Sequence, residues 1–568
     1  MSEDHSGVPL PWPEFLRQAK LPEERVPATE SIRNASVGWQ MIEDYRPLAE
    51  SLEWQLASLH WMQEGVLPFA QSGVPYLVNN DGLLSANSAA LLFANCVEAA
   101  PGEGRIVVLE LGAGTGLFAR YFLDEFRHLC ERDSRDYYQR LSYYVTDRSP
   151  RTVSQWEERG IFAEHAGHAI ARVCDACHVP EIVTEPIQAV FCNYLLDSLP
   201  AAKVRRTEQG WEQMAIRTWI VNDSSLLRNY TALTFDQIRE RAAAADPEAR
   251  NELLPLLPLL ELEADFKPVG QPGLPGLNEL KCECGGAGFV YNYGAIECLE
   301  ALLGSIAPTG FVLVNDYSPA NDEGNAQALA SQRFGPTTAV GLNFPLIEDH
   351  FLRCSATVLK PDGDDVSRIH ARLLLRGDAP DTRRTFEERF AARTREHVQA
   401  PFEQARQEAA AGRWREALAS YRNAIDLNPR DWQLMGEAAE FVATQLKDFA
   451  TGLELAREAV ALNPWYSPWL WNVLGECLAS LQHPAEAHEC YLQAHRIHPN
   501  DAQTNLKLAQ SWLGLGDPQR SLEAVARGLA SDTNAMFRHA LLDQQQEAIA
   551  ALTKRWHAER ETAARRQA

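Results

Sequence analysis

The segment Val107 to Phe122 reads VVLELGAGTGLFARYF. An apolar run leads to one carboxylate, Glu110, then to three glycines, Gly112, Gly114 and Gly116, and then to a helix-like pattern. A glycine turn between strand and helix usually cradles a nucleotide, because free amide groups at the helix N-terminus face the ligand. The spacing narrows the choice. The dinucleotide fingerprint G-x-G-x-x-G would need a glycine where Leu117 stands. A phosphate loop would need Gly-Lys-Ser/Thr, and none follows. A carboxylate leading into the turn repels phosphate and suits a cation. The next strand pattern ends in Asp147, where an acid can take both hydroxyls of a ribose. A nucleoside with a cationic amino-acid tail and no phosphate is S-adenosyl-L-methionine. The expected cofactor contacts are therefore Glu110, Gly112, Ala113, Gly114, Gly116 and Asp147. Asp175, in RVCDAC after a third strand pattern, is placed to bond the adenine amino group.

The elements that must position these residues alternate. RIVVLEL, LSYYVTD, AIARVCDA, QAVFCNYLL and FVLVNDYS read as strands, ARLLLRG as a late one. LFARYFLDEF, PRTVSQWEERG and YNYGAIECLEALLGS read as helices between them. Strand and helix in alternation predict an α/β, Rossmann-like, doubly wound parallel sheet. Two additions are expected to be helical: a lead-in over residues 40 to 65 with a Trp-rich face, and an insertion over about 225–275 with proline-broken apolar repeats.

The last third repeats. AIDLNP ends at Pro429, AVALNP at Pro464 and HRIHP at Pro499, a spacing of 35 and 35 residues. Turn signals AGRW, LKDF, LQHP and LGDP recur at mid-unit. A helix-turn-helix unit with a period near ~34 residues and a closing proline is the tetratricopeptide (TPR) signature. The sequence resembles a TPR array of four units. The expected organisation is a lead-in over 1–70, the α/β domain over 71–385, a linker over 386–400, an all-α TPR solenoid over 401–535, and a capping helix with tail over 536–568.

The chain has 568 residues, with 53 basic against 77 acidic, a formal net charge of -24. That field makes nucleic acid and anionic membrane surfaces poor partners. The start, MSEDHSGVPLPWPEF, lacks the basic-then-apolar order of a signal peptide, and LLPLLPLLEL is too short to span a bilayer. A cytoplasmic location is expected. The 11 cysteines then read as reduced thiols. Cys174, Cys177, Cys282 and Cys284 offer the thiolates of a zinc site, but CxC is a poor partner for CxxC, so no metal is expected.

FCNYLLDSLPAAKVRRTEQGW follows the fourth strand. It resembles the MidA-like branch of the class I methyltransferases, where Asn-Glu, two apolar residues, Asp-Ala-Leu-Pro and a later Gly-Trp recur. NNDGLLSANSAALLFANC, VTDRSPRTVSQW and FVLVNDYSP are similar to other segments of that family, from about Gly73 to Gly377. The resemblance implies a methyltransferase with Ser85 and Asn87 near the cofactor and Asn193 and Asp197 near the reacting group. It also implies a protein arginine acceptor. Here the family's Glu is Tyr194. Paired carboxylates hold a guanidinium bidentately, so that change weakens the arginine expectation. Tyr194 instead offers a stacking face or a hydroxyl at the acceptor.

The reading that follows is a methyltransferase acting on a protein or peptide that the TPR groove recruits. Two alternatives stay open from sequence. One is a small-molecule methyltransferase on a TPR scaffold. The other is a non-catalytic, cofactor-binding interaction protein.

Overall fold

The computed structural model describes residues 38–71, 81–99, 104–181, 183–244, 246–270, 273–280, 288–317, 332–334, 337–354, 356–364 and 369–567. The chain forms two compact units, made mainly of residues 84–396 and 397–568. Each is taken by itself.

The first unit is built on a seven-stranded sheet in the order β13-β14-β10-β5-β2-β3-β4. Its strands are β2 (Ile106–Leu111), β3 (Leu141–Asp147), β4 (Ala169–Val173), β5 (Ile187–Asn193), β10 (Ile306–Tyr317), β13 (Thr357–Leu359) and β14 (Ile369–Leu375). β2, β3, β4, β5 and β10 are parallel, and β14 runs against β10. β2 and β5 are buried at every residue, as strands covered on both faces must be. Helices α2 (Leu83–Ala99), α3 (Leu117–Arg132), α4 (Pro150–Arg159), α5 (Tyr293–Ser305) and α6 (Phe344–Arg353) accompany the sheet. α3 sends Phe122 against Tyr143 and Phe191 of the strands, with Phe126 stacked on Phe122. The chain leaves β2 toward β3 on one side and returns to β5 on the other. The C-terminal ends of β2 and β5 therefore flank a topological switch point, where open α/β sheets bind ligands.

A second, antiparallel sheet has the order β1-β7-β6-β9, with β8 also on β7. Its strands are β1 (Trp39–Pro47), β6 (Ala202–Thr207), β7 (Gly210–Val221), β8 (Leu260–Pro268) and β9 (Phe289–Tyr291). β11 (Gln332–Phe334) and β12 (Thr337–Ala339) form a separate pair. Three expectations are corrected here. The lead-in is not helical throughout: residues 39–47 pair with β7, and helix α1 (Leu52–Glu64) starts only after Ser51, whose side chain caps it. Partner strand β7 decides this, since the nine residues of β1 carry no helical stripe. The insertion ends in strand β8, paired with β7 from Glu212↔Pro268 to Ile220↔Leu260. Before it, Pro255 and Pro258 lie in a 3-10 stretch, Asn251–Leu259, because proline lacks the amide a longer α-helix would use. The linker expected over 386–400 is mostly helix. α7 (Pro380–Arg389) is followed by α8 (Ala392–Ala410), and the unit boundary at 396/397 falls inside α8. Charged, proline-bearing sequence reads as a linker, but Ala391, Phe386 and Phe390 are buried and anchor these turns.

The second unit is the TPR array: α9 (Trp414–Leu427), α10 (Trp432–Thr444), α11 (Phe449–Leu462), α12 (Pro468–Ser480), α13 (Pro484–Ile497), α14 (Ala502–Gly514), α15 (Pro518–Ser531) and α16 (Arg538–Gln567). Asp431, Asp448, Ser467, Asp501 and Asp517 cap helix starts with their side chains. The small residues the repeat demands sit at the tightest approaches. A Cβ on Gly475 would lie 2.5 Å from Tyr491 Cε1. Leu541 and Ala548 of α16 are buried, so this helix closes the array with its apolar face.

Candidate active site

The acids of the candidate site stand at or near the C-terminal ends of parallel strands or in the loops after them. Glu110 is the penultimate residue of β2 and the glycine turn follows it, Asp147 ends β3, Asn193 ends β5, and Asp316 is the penultimate residue of β10.

The glycine turn is forced into shape from several sides. Gly112, Gly114 and Gly116 have φ of 64°, 52° and 76°, the left-handed region that penalises a side chain. A Cβ on Gly112 would come to 2.8 Å from Leu195 Cδ1, and one on Gly114 to 3.2 Å from Phe69 Cζ. The turn is tied to β3 and α4. Ala113 N–H donates to Thr146 O at 2.8 Å, and Gly114 N–H to Asp147 Oδ2 at 3.2 Å. Trp156 Nε1 donates to Gly114 O at 2.9 Å.

Two carboxylates face this turn. Glu110 is 2% exposed and accepts from the Tyr143 hydroxyl at 3.0 Å. Burial, with Asp147 nearby, pushes its carboxyl up to about 8. Asp147 accepts from Gly114 N–H and, at 2.9 Å, from Ser149 N–H, yet burial raises it to about 6. Neither acid has a basic side chain in ion-pair range among the described residues. A buried acid beside a half-buried one, without a counter-charge, calls for a cation. The acid pair beside the turn fits a sulfonium nucleoside with an ammonium tail, and would not suit a pyrophosphate.

The remaining sequence candidates fall into two groups. Ser85 Oγ donates to Phe118 O at 3.0 Å, and Asn87 Nδ2 to Arg389 O at 3.1 Å. Both tie α2 to neighbouring backbone. Asp175 caps the turn after β4 through Cys177 N–H at 3.0 Å and lies 3.4 Å from Arg148 Nε. Asn193, Tyr194 and Asp197 are brought to the strand ends. Asn193 Oδ1 accepts from Asn315 Nδ2 at 2.8 Å, and its buried Nδ2 has no hydrogen-bond partner. Tyr194 has φ of 51°, a strained conformation for a tyrosine, and its ring packs 4.7 Å from that of Tyr317. Asp197 is buried beside Asp316, which sequence reading did not single out. Asp316 Oδ2 accepts from Leu196 N–H at 2.9 Å and Asp197 N–H at 3.3 Å, and its Oδ1 from Tyr317 N–H at 2.8 Å. Burial pushes Asp197 up to about 7, and burial with the Asp197 charge holds Asp316 above the usual carboxylate range. The two acids share a proton more readily than both ionise. The sequence signal was the pair of strand-ending acids, DS after QAVFCNYLL and DYS after FVLVN; only the pairing of β5 with β10 joins them.

Cys174 is buried and Cys177 exposed, while Cys282 and Cys284 lie outside the described residues. The one metal-capable group found among the described residues is elsewhere: Glu300, His350 and Cys354, with ligand atoms within 4.8 Å of one another.

Residues 89–338 match the family model described as "Putative S-adenosyl-L-methionine-dependent methyltransferase". Residues 89–338 are a methyltransferase domain. The cofactor of that family is S-adenosyl-L-methionine, and the acids at the glycine turn suit its cationic tail. Among solved structures, a COG1565 superfamily member and likely methyl transferase from Burkholderia thailandensis, bound to S-adenosyl-homocysteine, is similar at 15% identity. The match covers 62% of this chain and 81% of that one, with a TM-score of 0.36. The array is similar to the MamA protein, at 13% identity over 30% of this chain and 95% of that one, with a TM-score of 0.23. It is also similar to the first TPR of Spaghetti bound to an HSP90 peptide, at 24% identity over 21% of this chain and 94% of that one, TM-score 0.20. No curated protein matches the chain. No helix among the described residues is long and apolar enough to cross a membrane.

Proposed function

We propose that this methyltransferase modifies a protein or peptide, and that the TPR array recruits the acceptor. The observation that carries the acceptor-site reading is the meeting of Asn193, Tyr194, Asp197 and Asp316 beside the glycine turn. Glu110, Asp147 and the turn from Gly112 to Gly116 hold the cofactor, which supplies an electrophilic methyl group when bound. Ala113 sets the turn through its backbone, Ser85 and Asn87 brace the helix behind it, and Asp175 fixes the loop after β4.

The acceptor wall lies after β5. Tyr194 presents its ring and hydroxyl to the incoming group. Asp197, with its carboxyl near neutral pKa, takes the proton that the nucleophile must lose. Asp316 keeps Asp197 in place through the Leu196 and Asp197 amides and restrains its ionisation. Their pairing supplies a second carboxylate in place of the one lost at Tyr194, which favours a nitrogen acceptor, a guanidinium included. Little else is required, since positioning and exclusion of water account for most of a methyl transfer.

The test is incubation of the full chain with methyl-labelled cofactor and cell lysate. Label on protein supports the reading. Label only on small metabolites moves the acceptor to small molecules, and no transfer by a chain that binds cofactor makes it a non-catalytic binder.

A further inference from the structure

The array holds a cavity that the chemistry above does not use. It measures about 320 Å³ and lies between α10, α12 and α14, the first helices of successive repeats. Its walls combine apolar and polar groups: Phe449, Val473 and Tyr491 beside Glu440, Glu476 and Lys507.

The charges there do not balance. Glu437, on the same helix as Glu440, is held by Arg406, with Nε to Oε2 at 2.8 Å and Nη2 to Oε1 at 2.6 Å. Glu476 is paired with Lys507. Glu440 accepts only a long bond from Trp469 Nε1, at 3.3 Å to Oε2, and no basic side chain lies within ion-pair range of it among the described residues. It is thus a cavity-lining carboxylate short of one cation. The apolar walls suit an alkyl stem, and the carboxylate suits the charged head that the stem carries.

We infer that this cavity receives the lysine or arginine side chain of a basic peptide segment, with Glu440 as its counter-charge. The inference rests on the reading that the array captures a peptide, and names the chemistry of that peptide. It also implies a pH response. The groups facing Glu440 are Glu437 on its own helix, Trp469 and Glu476 from α12, and Lys507 from α14. Burial, then the charge of Glu476, pushes Glu440 up to about 7. Below that pH the carboxyl is neutral and a cation gains little. Above it the carboxylate is present, so affinity for a cationic side chain rises with pH, and binding near neutrality releases a proton.

The experiment measures binding to the full chain of short Ser/Gly peptides that differ only at spaced positions carrying arginine, lysine, citrulline or glutamate. Arginine and lysine peptides should bind on the order of tenfold tighter than citrulline. The preference should grow from pH 6 to 8, and calorimetry in buffers of different ionisation enthalpy should show proton release. Glu440→Gln, which keeps the shape, should abolish both the preference and the proton release while citrulline binding stays the same. Lys507→Gln should strengthen binding of the cationic peptides, because it frees Glu476. Equal affinity for arginine and citrulline, or an unchanged preference in Glu440→Gln, overturns the assignment. If the preference holds but removing the array leaves methylation unaffected, this site stands and acceptor capture falls. If removal weakens methylation while arginine and citrulline bind alike, capture stands and this site falls.

Discussion

The switch-point face of the sheet and the cavity of the array each hold carboxylate without a counter-charge, but they are assembled differently. Around the glycine turn, Glu110, Asp147 and Asp316 come from three strands and Asp197 from the turn after a fourth, spread over roughly two hundred residues. Parallel pairing alone brings them to one edge. In the array, Glu440, Glu476 and Lys507 come from successive first helices, so a repeat of about 35 residues aligns them. The sheet makes its site from non-local contacts that rigidify it, and the array makes a groove from local units that can be altered one at a time. The sheet's acids are fixed by backbone amides, as at Asp147 and Asp316. The array's acids are fixed by other side chains.

The sharpest way to break this contrast is Asp197→Asn. It should lower methyl transfer on the order of a hundredfold, the usual worth of a positioned base, and leave cofactor affinity within a few fold. In the wild type the transfer rate should climb as pH rises through about 7, and the variant should lose that climb. A collapse of cofactor affinity instead would move Asp197 into the cofactor site.

Asp147→Ala should weaken cofactor binding by about ten- to a hundredfold, read by titration calorimetry, since charge-assisted bonds of about 1.5–3 kcal/mol are lost. Unchanged affinity in a folded variant would remove the acid pair from cofactor recognition. Deleting the array from residue 397 onward should leave cofactor affinity intact. Methylation of a protein acceptor should fall about tenfold or more at limiting concentration and recover at high concentration, because only local concentration is lost. Equal activity at limiting acceptor would assign the array a structural role.

Two smaller effects sharpen the separation of the regions. Gly475→Ala forces a methyl against Tyr491 and should destabilise the array by about 1–3 kcal/mol in denaturant melts, with cofactor binding unaffected. Glu110→Gln should act on the sheet alone. The folded-state carboxyl of Glu110 is raised above its unfolded value, so its contribution to stability is present at low pH and fades as pH climbs through about 8. Without cofactor, the wild-type unit should lose stability between pH 5 and 8 more steeply than the variant. Parallel curves would show that Glu110 keeps its charge in the folded protein.

Much of this was legible in the sequence where the signal is local. The glycine spacing marked a tight turn between strand and helix, which the structure bears out with positive φ at Gly112, Gly114 and Gly116, and the period of 35 marked the array, because each repeat buries the same face against its neighbour. The continuous apolar runs of β2 and β5 marked central parallel strands. What escaped the sequence was decided at a distance. The strand character of Trp39–Pro47 and Leu260–Pro268 depends on β7 as a partner, which even at the nearest registered pairs, Pro47↔Ala215 and Ile220↔Leu260, lies well outside either segment's local sequence. The joining of Asp197 to Asp316 depends on β10 lying beside β5, 119 residues apart for the amide contact. The near-neutral carboxyls of Glu110, Asp197 and Glu440 depend on burial, which no residue carries in its own type. Composition and spacing fixed which groups the chain owns and how its local turns close. Only the tertiary structure fixed which acids share a desolvated space, because desolvation and charge coupling are properties of the packed neighbourhood.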